Sequence, residues 1–224
     1  MTNTFSKPST ILFHGPSGCG KDTQVELLVQ KYNFENIGTG EMIRKLYEEN
    51  DRNAVQATKE YTSKGLFVPN DIIYNEMFPK WLERFNPQKN WAFISVVREV
   101  GQIELFNALL EKQGRKLDLF IHFVLSPEIA IERMSTRKYC PNCGATYHPK
   151  FKKEAQEGKC DKCGATLTQR EDDKPEKILK RLSEYNRTIE PILENYKEKG
   201  LLIEVDAAPT IKEIHKEIVK ILDL

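Results

Sequence analysis

The chain has 224 residues, 39% of them hydrophobic, and carries 34 basic against 33 acidic side chains. That length allows one sizeable core with insertions, and so even a balance excludes a global basic field for nucleic acid. The opening residues MTNTFS form no apolar leader, and no run reaches the roughly 18 apolar residues of a membrane helix, so a soluble, cytoplasmic protein is expected.

The first predicted element is an apolar strand over 10–14. It runs into GPSGCGKDT at 15–23, which fits G-x-x-x-x-G-K. Glycines in such a loop let backbone N–H groups turn inward around an anion, and the helix that follows presents its positive end to it. Residues 24–30 supply that helical run. Gly15, Ser17, Gly18, Cys19, Gly20, Lys21, Asp22 and Thr23 are therefore the candidate lining of a nucleotide phosphate site, with Lys21 reaching the β- and γ-phosphates. Many such loops place Ser or Thr after the lysine to hold Mg²⁺. Here Asp22 stands there, followed by Thr23.

Residues 39–70 read as helical and polar. Further strands are predicted over 91–97, 118–125 and 201–205. All are apolar nearly throughout, which suits a parallel sheet covered on both faces. Helical stretches between them give a doubly wound α/β layout.

Between the last two strands lie Cys140-x-x-Cys143 and Cys160-x-x-Cys163, with 16 residues between the pairs. Two C-x₂-C pairs at this spacing point to a tetrahedral Cys₄ zinc site. The halves echo each other as CPNCGAT and CDKCGAT, and a glycine after each pair suits a tight knuckle. Four sulfurs leave no open position, so the zinc should be structural. A late helix follows. Asp173 and Glu176 fit a capping box with Pro175 in the first turn. Ile178, Leu182, Tyr185, Ile189, Ile192 and Tyr196 form its apolar stripe, and Arg181 falls off that stripe.

Taken in order, these blocks resemble the adenylate kinase family, in its form with a long, zinc-bearing lid, from about residue 10 to the end. The loop at 15–24 is similar to the family's G-x-P-G-x-G-K-G-T-Q. The segment GTGEMIR at 38–44 resembles S-T-G-D-M-L-R, and GLFVP at 65–69 resembles the loop closing the AMP-binding segment. Arg133 and Arg137 lead into the knuckle as the lid arginines do. QREDD at 169–173, with Arg181 beyond it, resembles the lid exit and its phosphate-clamping arginines.

The resemblance implies a P-loop nucleoside monophosphate kinase fold with a core of residues 1–38, 71–136 and 170–224. An NMP-binding segment (39–70) and a zinc lid (137–169) would be inserted into it. It implies transfer of the ATP γ-phosphate to AMP, with Mg²⁺ accompanying ATP, by a monomer that binds neither nucleic acid nor membrane. Arg133 and Arg137 would join the phosphate loop around ATP. Thr39, Gly40, Arg44, Val68, Arg98, Gln102, Arg170 and Arg181 would hold AMP. Lys21, Arg98, Arg133, Arg170 and Arg181 would carry the chemistry. Such a reaction asks mainly for positioning and converging positive charge, which planar guanidinium forks supply to phosphate oxygens.

One block departs from the pattern. Where the family has D-G-F-P-R-T-x-x-Q, residues 94–102 read ISVVREVGQ. Arg98 and Gln102 remain, and the aspartate associated with the Mg²⁺ water shell is gone. Asp22 is the carboxylate that could replace it. The departure leaves open a different monophosphate acceptor or a catalytically impaired nucleotide-binding homologue. The lysines around the knuckle leave open a nucleic-acid-binding ribbon.

Overall fold

The computed structural model describes residues 8–64, 68–169 and 173–224. Five parallel strands form the central sheet: β1 (Thr10–His14), β2 (Phe34–Gly38), β3 (Asn90–Ile94), β4 (Leu119–Val124) and β7 (Leu202–Asp206), in the order β2-β3-β1-β4-β7. The chain leaves β1 for the edge strand β2, returns to β3, then crosses to β4. This places β1 at the switch point of the sheet, where the loops beyond the strand ends open a crevice for ligands.

Alternation along β1 assigns its side chains to two cores. Leu12 joins Phe93, Phe106, Phe120, Ile192 and Tyr196 on one face. Ile11 and Phe13 join Val25, Leu28, Phe123, Val205, Ile214 and Ile218 on the other. The first face is covered by α2 (Thr39–Glu48), α3 (Arg52–Gln56), α4 (Phe78–Leu82), α5 (Gly101–Lys112) and α7 (Pro175–Glu198). The second is covered by α1 (Lys21–Lys31) and α8 (Ile211–Ile221). The α/β architecture follows the sequence expectation.

Four expectations need correction. β2 is an additional strand. Its sequence FENIG buries only Phe34 and Ile37, as a short edge strand can, so it lacks the apolar run of its neighbours. The strand expected over 91–97 ends at Ile94, because Ser95 takes a positive φ of 48°. Asp173 does not cap α7. Lys174 is the N-cap residue and no side chain caps the helix, because the Asp173 carboxylate is buried against two arginines. The segment 39–70 is also less polar than it reads, since Met42, Ile43, Leu46, Ala54 and Ala57 reach the first core.

Beyond α6 (Pro127–Ser135) the cysteine segment folds on itself. It has a two-stranded antiparallel ribbon, β5 (Lys138–Tyr139) with β6 (Thr146–Tyr147), and isolated bridges Tyr139↔Thr168, His148↔Lys152 and Lys159↔Thr166. Its apolar cluster is small: Cys140, Ala145, Tyr147, Cys160 and Leu167.

Candidate active site and metal centre

The phosphate-type loop connects the end of β1 to α1 at the open edge of the sheet. Gly15 is required by close packing, since a Cβ there would lie 2.8 Å from Phe123 Cβ and 2.9 Å from its carbonyl. Gly20 is the N-cap of α1 in a left-handed conformation, φ 88°. Ser17 and Gly18 lie half-buried between them. Cys19 is buried against the second core, and burial pushes its thiol pKa up, leaving it a neutral packing group. The Lys21 ammonium leans over the loop, 3.5 Å from the Pro16 carbonyl and 4.0 Å from Cys19 Sγ. Thr23 is half-buried, and Asp22 stands exposed in the first turn of α1.

Arg98 follows β3 in the next loop. Its Nε donates to Ser95 O at 3.0 Å, and its backbone N–H donates to Gln102 Oε1 at 2.7 Å. Gln102 Nε2 donates in turn to Asn70 Oδ1 at 2.8 Å, and Asn70 Nδ2 to Glu99 Oε1 at 2.7 Å. Tyr74 braces the same loop through its hydroxyl to Val96 O at 2.6 Å. The guanidinium of Arg98 opens to the cleft although protein crowds its flanks. That crowding, with the like charge of Arg181, pulls its pKa down, and the charge of Asp22 opposes the shift.

Thr39 and Gly40 start α2, and Arg44 lies one turn on, with its Nη1 3.3 Å from where a Cβ on Gly40 would sit. Val68 packs against the first core. Among the described residues, Lys21, Arg44 and Arg98 have no carboxylate ion-pair partner. Three unpaired cations at one edge of a sheet form a site that wants anions.

Arg133, Arg137 and Arg181 are held by protein. Arg133 on α6 donates to the carbonyls of Ala207 (2.8 Å) and Ala208 (2.9 Å) and lies 4.7 Å from the centre of the Phe151 ring. Arg137 grips Asp173 with two bonds of 2.8 and 2.5 Å, and Arg181 reaches the same carboxylate at 3.3 Å. Arg170 falls outside the described residues, as do residues 65–67 of the loop expected to close over the acceptor. Asn70, Tyr74 and Phe151 were not anticipated as site residues; their contacts are long-range, and no local motif marks them. Asp173 lies in the QREDD block, but its grip on Arg137 and Arg181 was not anticipated.

The four knuckle sulfurs lie within 4.8 Å of one another. Cys140 Sγ is 3.5 Å from Cys163 Sγ, and Cys143 Sγ is 3.5 Å from Cys160 Sγ, far beyond the roughly 2.05 Å of a disulfide. The two loops share one geometry. Cys140 and Cys160 each donate to the carbonyl five residues on, at 2.9 Å, and Gly144 and Gly164 both take left-handed φ, at 74° and 72°. Four convergent thiols fit Zn²⁺ in a closed structural site.

The adenylate kinase family model matches residues 13–201. The chain belongs to the adenylate kinase family. It is 36% identical over 212 residues to the adenylate kinase of Thermoanaerobacter sp. (strain X514), covering 95% of this chain and 97% of that protein. Identity to the adenylate kinase of Archaeoglobus fulgidus is 34% over 213 residues, with the same two shares of 95% and 97%. Membership makes the chain a nucleoside monophosphate kinase, a phosphotransferase with ATP and AMP as its substrates and Mg²⁺ accompanying ATP. No helix among the described residues is long and apolar enough to cross a membrane.

Proposed function

We propose that phosphoryl transfer from ATP to AMP takes place over the C-terminal ends of β1 and β3, between Lys21 and Arg98. The carrying observation is that these two cations stand in the loops that follow the neighbouring parallel strands β1 and β3 and have no ion pair among the described residues. ATP's phosphates lie in the loop from Gly15 to Thr23, whose amides and Lys21 take up their charge. The acceptor phosphate lies against Arg44 and Arg98, with Thr39, Gly40, Val68 and Gln102 shaping its pocket. Gln102 acts by orienting the Arg98 backbone. Arg133 and Arg137, at the base of the zinc segment, border the ATP side. Arg181 and Arg170 complete the cation set around the transferring group, where charge spreads over the equatorial oxygens. Asp173 keeps Arg137 and Arg181 aimed until phosphate competes for them.

Mg²⁺ prefers hard oxygen ligands and water, and when bound with ATP it would supply positive charge against the charge developing on the phosphates. Asp22 and Thr23 offer such donors beside the loop, and we assign Asp22 the carboxylate role that residues 94–102 have lost. The segment 39–70 and the segment 137–169 close over the two substrates and exclude water that would otherwise accept the phosphoryl group.

A monomer in the cytoplasm is the reading that best fits a zinc site built from reduced thiols. A nucleic-acid role is disfavoured, because four of the knuckle lysines are engaged by carboxylates. Lys138 pairs with Glu154, Lys150 with Glu132, and Lys152 and Lys162 with Glu26. The deciding experiment is a coupled assay of ADP formation with each nucleoside monophosphate in turn. AMP should be the best acceptor, and a clear preference for a pyrimidine monophosphate would reject the assignment.

A further inference from the structure

Three hydrogen bonds in series join the end of the segment 39–70 to the loop that carries Arg98. Glu99 Oε1 accepts from Asn70 Nδ2 at 2.7 Å, Asn70 Oδ1 accepts from Gln102 Nε2 at 2.8 Å, and Gln102 Oε1 accepts the backbone N–H of Arg98 at 2.7 Å. Both ends of this chain have a fixed sense. A carboxylate only accepts and a backbone N–H only donates, so each amide between them can stand one way round. Turning Asn70 over would face its oxygen to the Glu99 carboxylate and its NH₂ to that of Gln102. Turning Gln102 over would face its NH₂ to the Arg98 N–H and its oxygen to Asn70 Oδ1.

The loop beneath the chain is braced independently. Tyr74, one turn beyond Asn70, donates to Val96 O at 2.6 Å, Arg98 Nε donates to Ser95 O at 3.0 Å, and the Gln102 backbone N–H donates to Glu99 O at 3.0 Å. Gln102 itself is only 9% exposed, so a mispaired amide there would carry the penalty of a buried unsatisfied group. The protein uses one N–H and one oxygen lone pair of this amide. One N–H and one lone pair remain without a protein partner among the described residues. An adenine base offers an acceptor, N1, beside a donor, the 6-amino group. A 6-oxo purine offers a donor and an acceptor in the reverse order. An amide free to turn over can meet either edge, whereas a locked one complements a single edge.

We propose that Asn70, held by Glu99, is a positioning residue that locks the Gln102 amide in the sense complementary to a 6-amino purine, and so sets the preference of the acceptor site for AMP over 6-oxo purine monophosphates. A 6-oxo base could be met equally well only by turning the amide over, which forfeits the bonds to both Asn70 and Arg98. Sites that read a substrate by hydrogen bonding reject the mismatched analogue strongly, because buried polar groups are then left unpaired. The proposal rests on the reading of Gln102 as a lining residue of the acceptor pocket.

Its first test is independent of that reading. In the unliganded, zinc-loaded wild-type protein one side-chain amide proton of Gln102 should exchange slowly with solvent by NMR, and the protection should vanish in Asn70→Leu. Free-amide exchange in wild type overturns the lock whatever the enzyme does. The second test is steady-state kinetics with AMP and inosine monophosphate. Asn70→Leu fills similar space without an acceptor. Its KM for AMP should rise about three- to tenfold, the loss of one modest hydrogen bond, with KM for ATP within about twofold of wild type. Its selectivity, the ratio of kcat/KM for AMP to that for inosine monophosphate, should fall about tenfold. The double variant Asn70→Asp, Glu99→Gln keeps an acceptor toward Gln102 and supplies a donor to the new carboxylate. It should restore selectivity to within about twofold of wild type. Tyr74→Phe loosens the same loop but leaves the amide chain in place, so it should slow both acceptors alike. Unchanged selectivity in Asn70→Leu, a double variant as unselective as Asn70→Leu, or an equal fall in Tyr74→Phe would overturn the proposal. Gln102→Leu tells the two failures apart. If it leaves the KM for AMP unchanged, the pocket reading is wrong and the proposal falls with it; if it raises that KM while Asn70→Leu does not, only the lock is wrong.

Discussion

The phosphate loop and the zinc segment are both glycine-turned structures that border the same cleft, yet they are held by opposite means. The loop is clamped by apolar packing. Phe123 stands where a Cβ on Gly15 would be, Cys19 is buried, and β1 is covered on both faces. The zinc segment has five buried residues in its own cluster, two of them cysteines, and strands of two residues each. Too little apolar surface is buried there to offset the ordering of some thirty residues, each costing about 1–2 kcal/mol of backbone entropy. The cleft therefore combines a rigid floor with a cover whose order is borrowed from a metal and from ion pairs. This suits an enzyme that must close and reopen in each turnover.

The largest expected effect tests the floor. Lys21→Met should lower kcat by about 10²–10³-fold, in line with loss of a preorganised charge from a dry site, while circular dichroism and the melting temperature stay near wild type. Retention of a tenth of wild-type turnover would mean that the loop does not hold ATP.

The cover is tested by Cys160→Ser. Zinc content should fall from one equivalent to well below half, and the amides of residues 138–168 should exchange rapidly. The sheet should remain protected, because its two cores share no residue with the lid cluster. A variant that unfolds cooperatively as a whole would contradict the division between floor and cover.

The same contrast explains what could be read from the sequence. β1, its loop and the cysteine knuckles are local objects, in which spacing within about ten residues dictates geometry, and they were legible. β2 was not, because an edge strand needs only Phe34 and Ile37 to face the core. The capping box at Asp173 was a local pattern overridden at a distance, since Arg137, 36 residues away, offers a buried carboxylate a stronger partner than a helix N-terminus does. Asn70 joins Glu99 and Gln102 across 29 and 32 residues, and nothing in the order of residues marks it. The arginines could be nominated from motifs, but not the fact that Arg133 and Arg137 are held by protein groups while Arg98 has no carboxylate partner among the described residues.

A smaller effect is expected at Asp22, on the floor but facing the cleft. Its charge bears on Arg98 and on Glu41, whose carboxyl is raised first by burial and then by Asp22. If Asp22 supplies the missing carboxylate, Asp22→Gly should raise the Mg²⁺ concentration for half-maximal rate several-fold. It should also weaken Mn²⁺ binding to the enzyme–ATP complex measured by electron paramagnetic resonance. If it only favours the helix start, both titrations should overlay those of wild type and stability should fall by about 0.5 kcal/mol.

The smallest effect lies at the join between floor and cover. Glu26 on α1 receives Lys152 at 2.9 Å and also Lys162, which lies between two zinc-ligand cysteines. Burial raises the Glu26 carboxyl, but the two lysines outweigh it and hold its pKa below the ordinary value. A carboxylate depressed in this way stabilises docking fully at pH 7. That contribution is lost only as pH falls through the folded value, below the usual carboxylate range. Because Lys162 is half exposed, the join is worth about 0.5–1 kcal/mol. Glu26→Gln should accordingly speed amide exchange across the zinc segment about two- to fivefold at pH 7 with zinc fully retained, which separates it from Cys160→Ser. Raising the salt to about 1 M should bring wild type up to the variant's rate and leave the variant nearly unchanged. Equal salt responses in the two proteins would show that Glu26 does not hold the cover, and would shift that role to its other contacts, among them Phe151 on Arg133 and the His148–Thr136 bond of 2.9 Å.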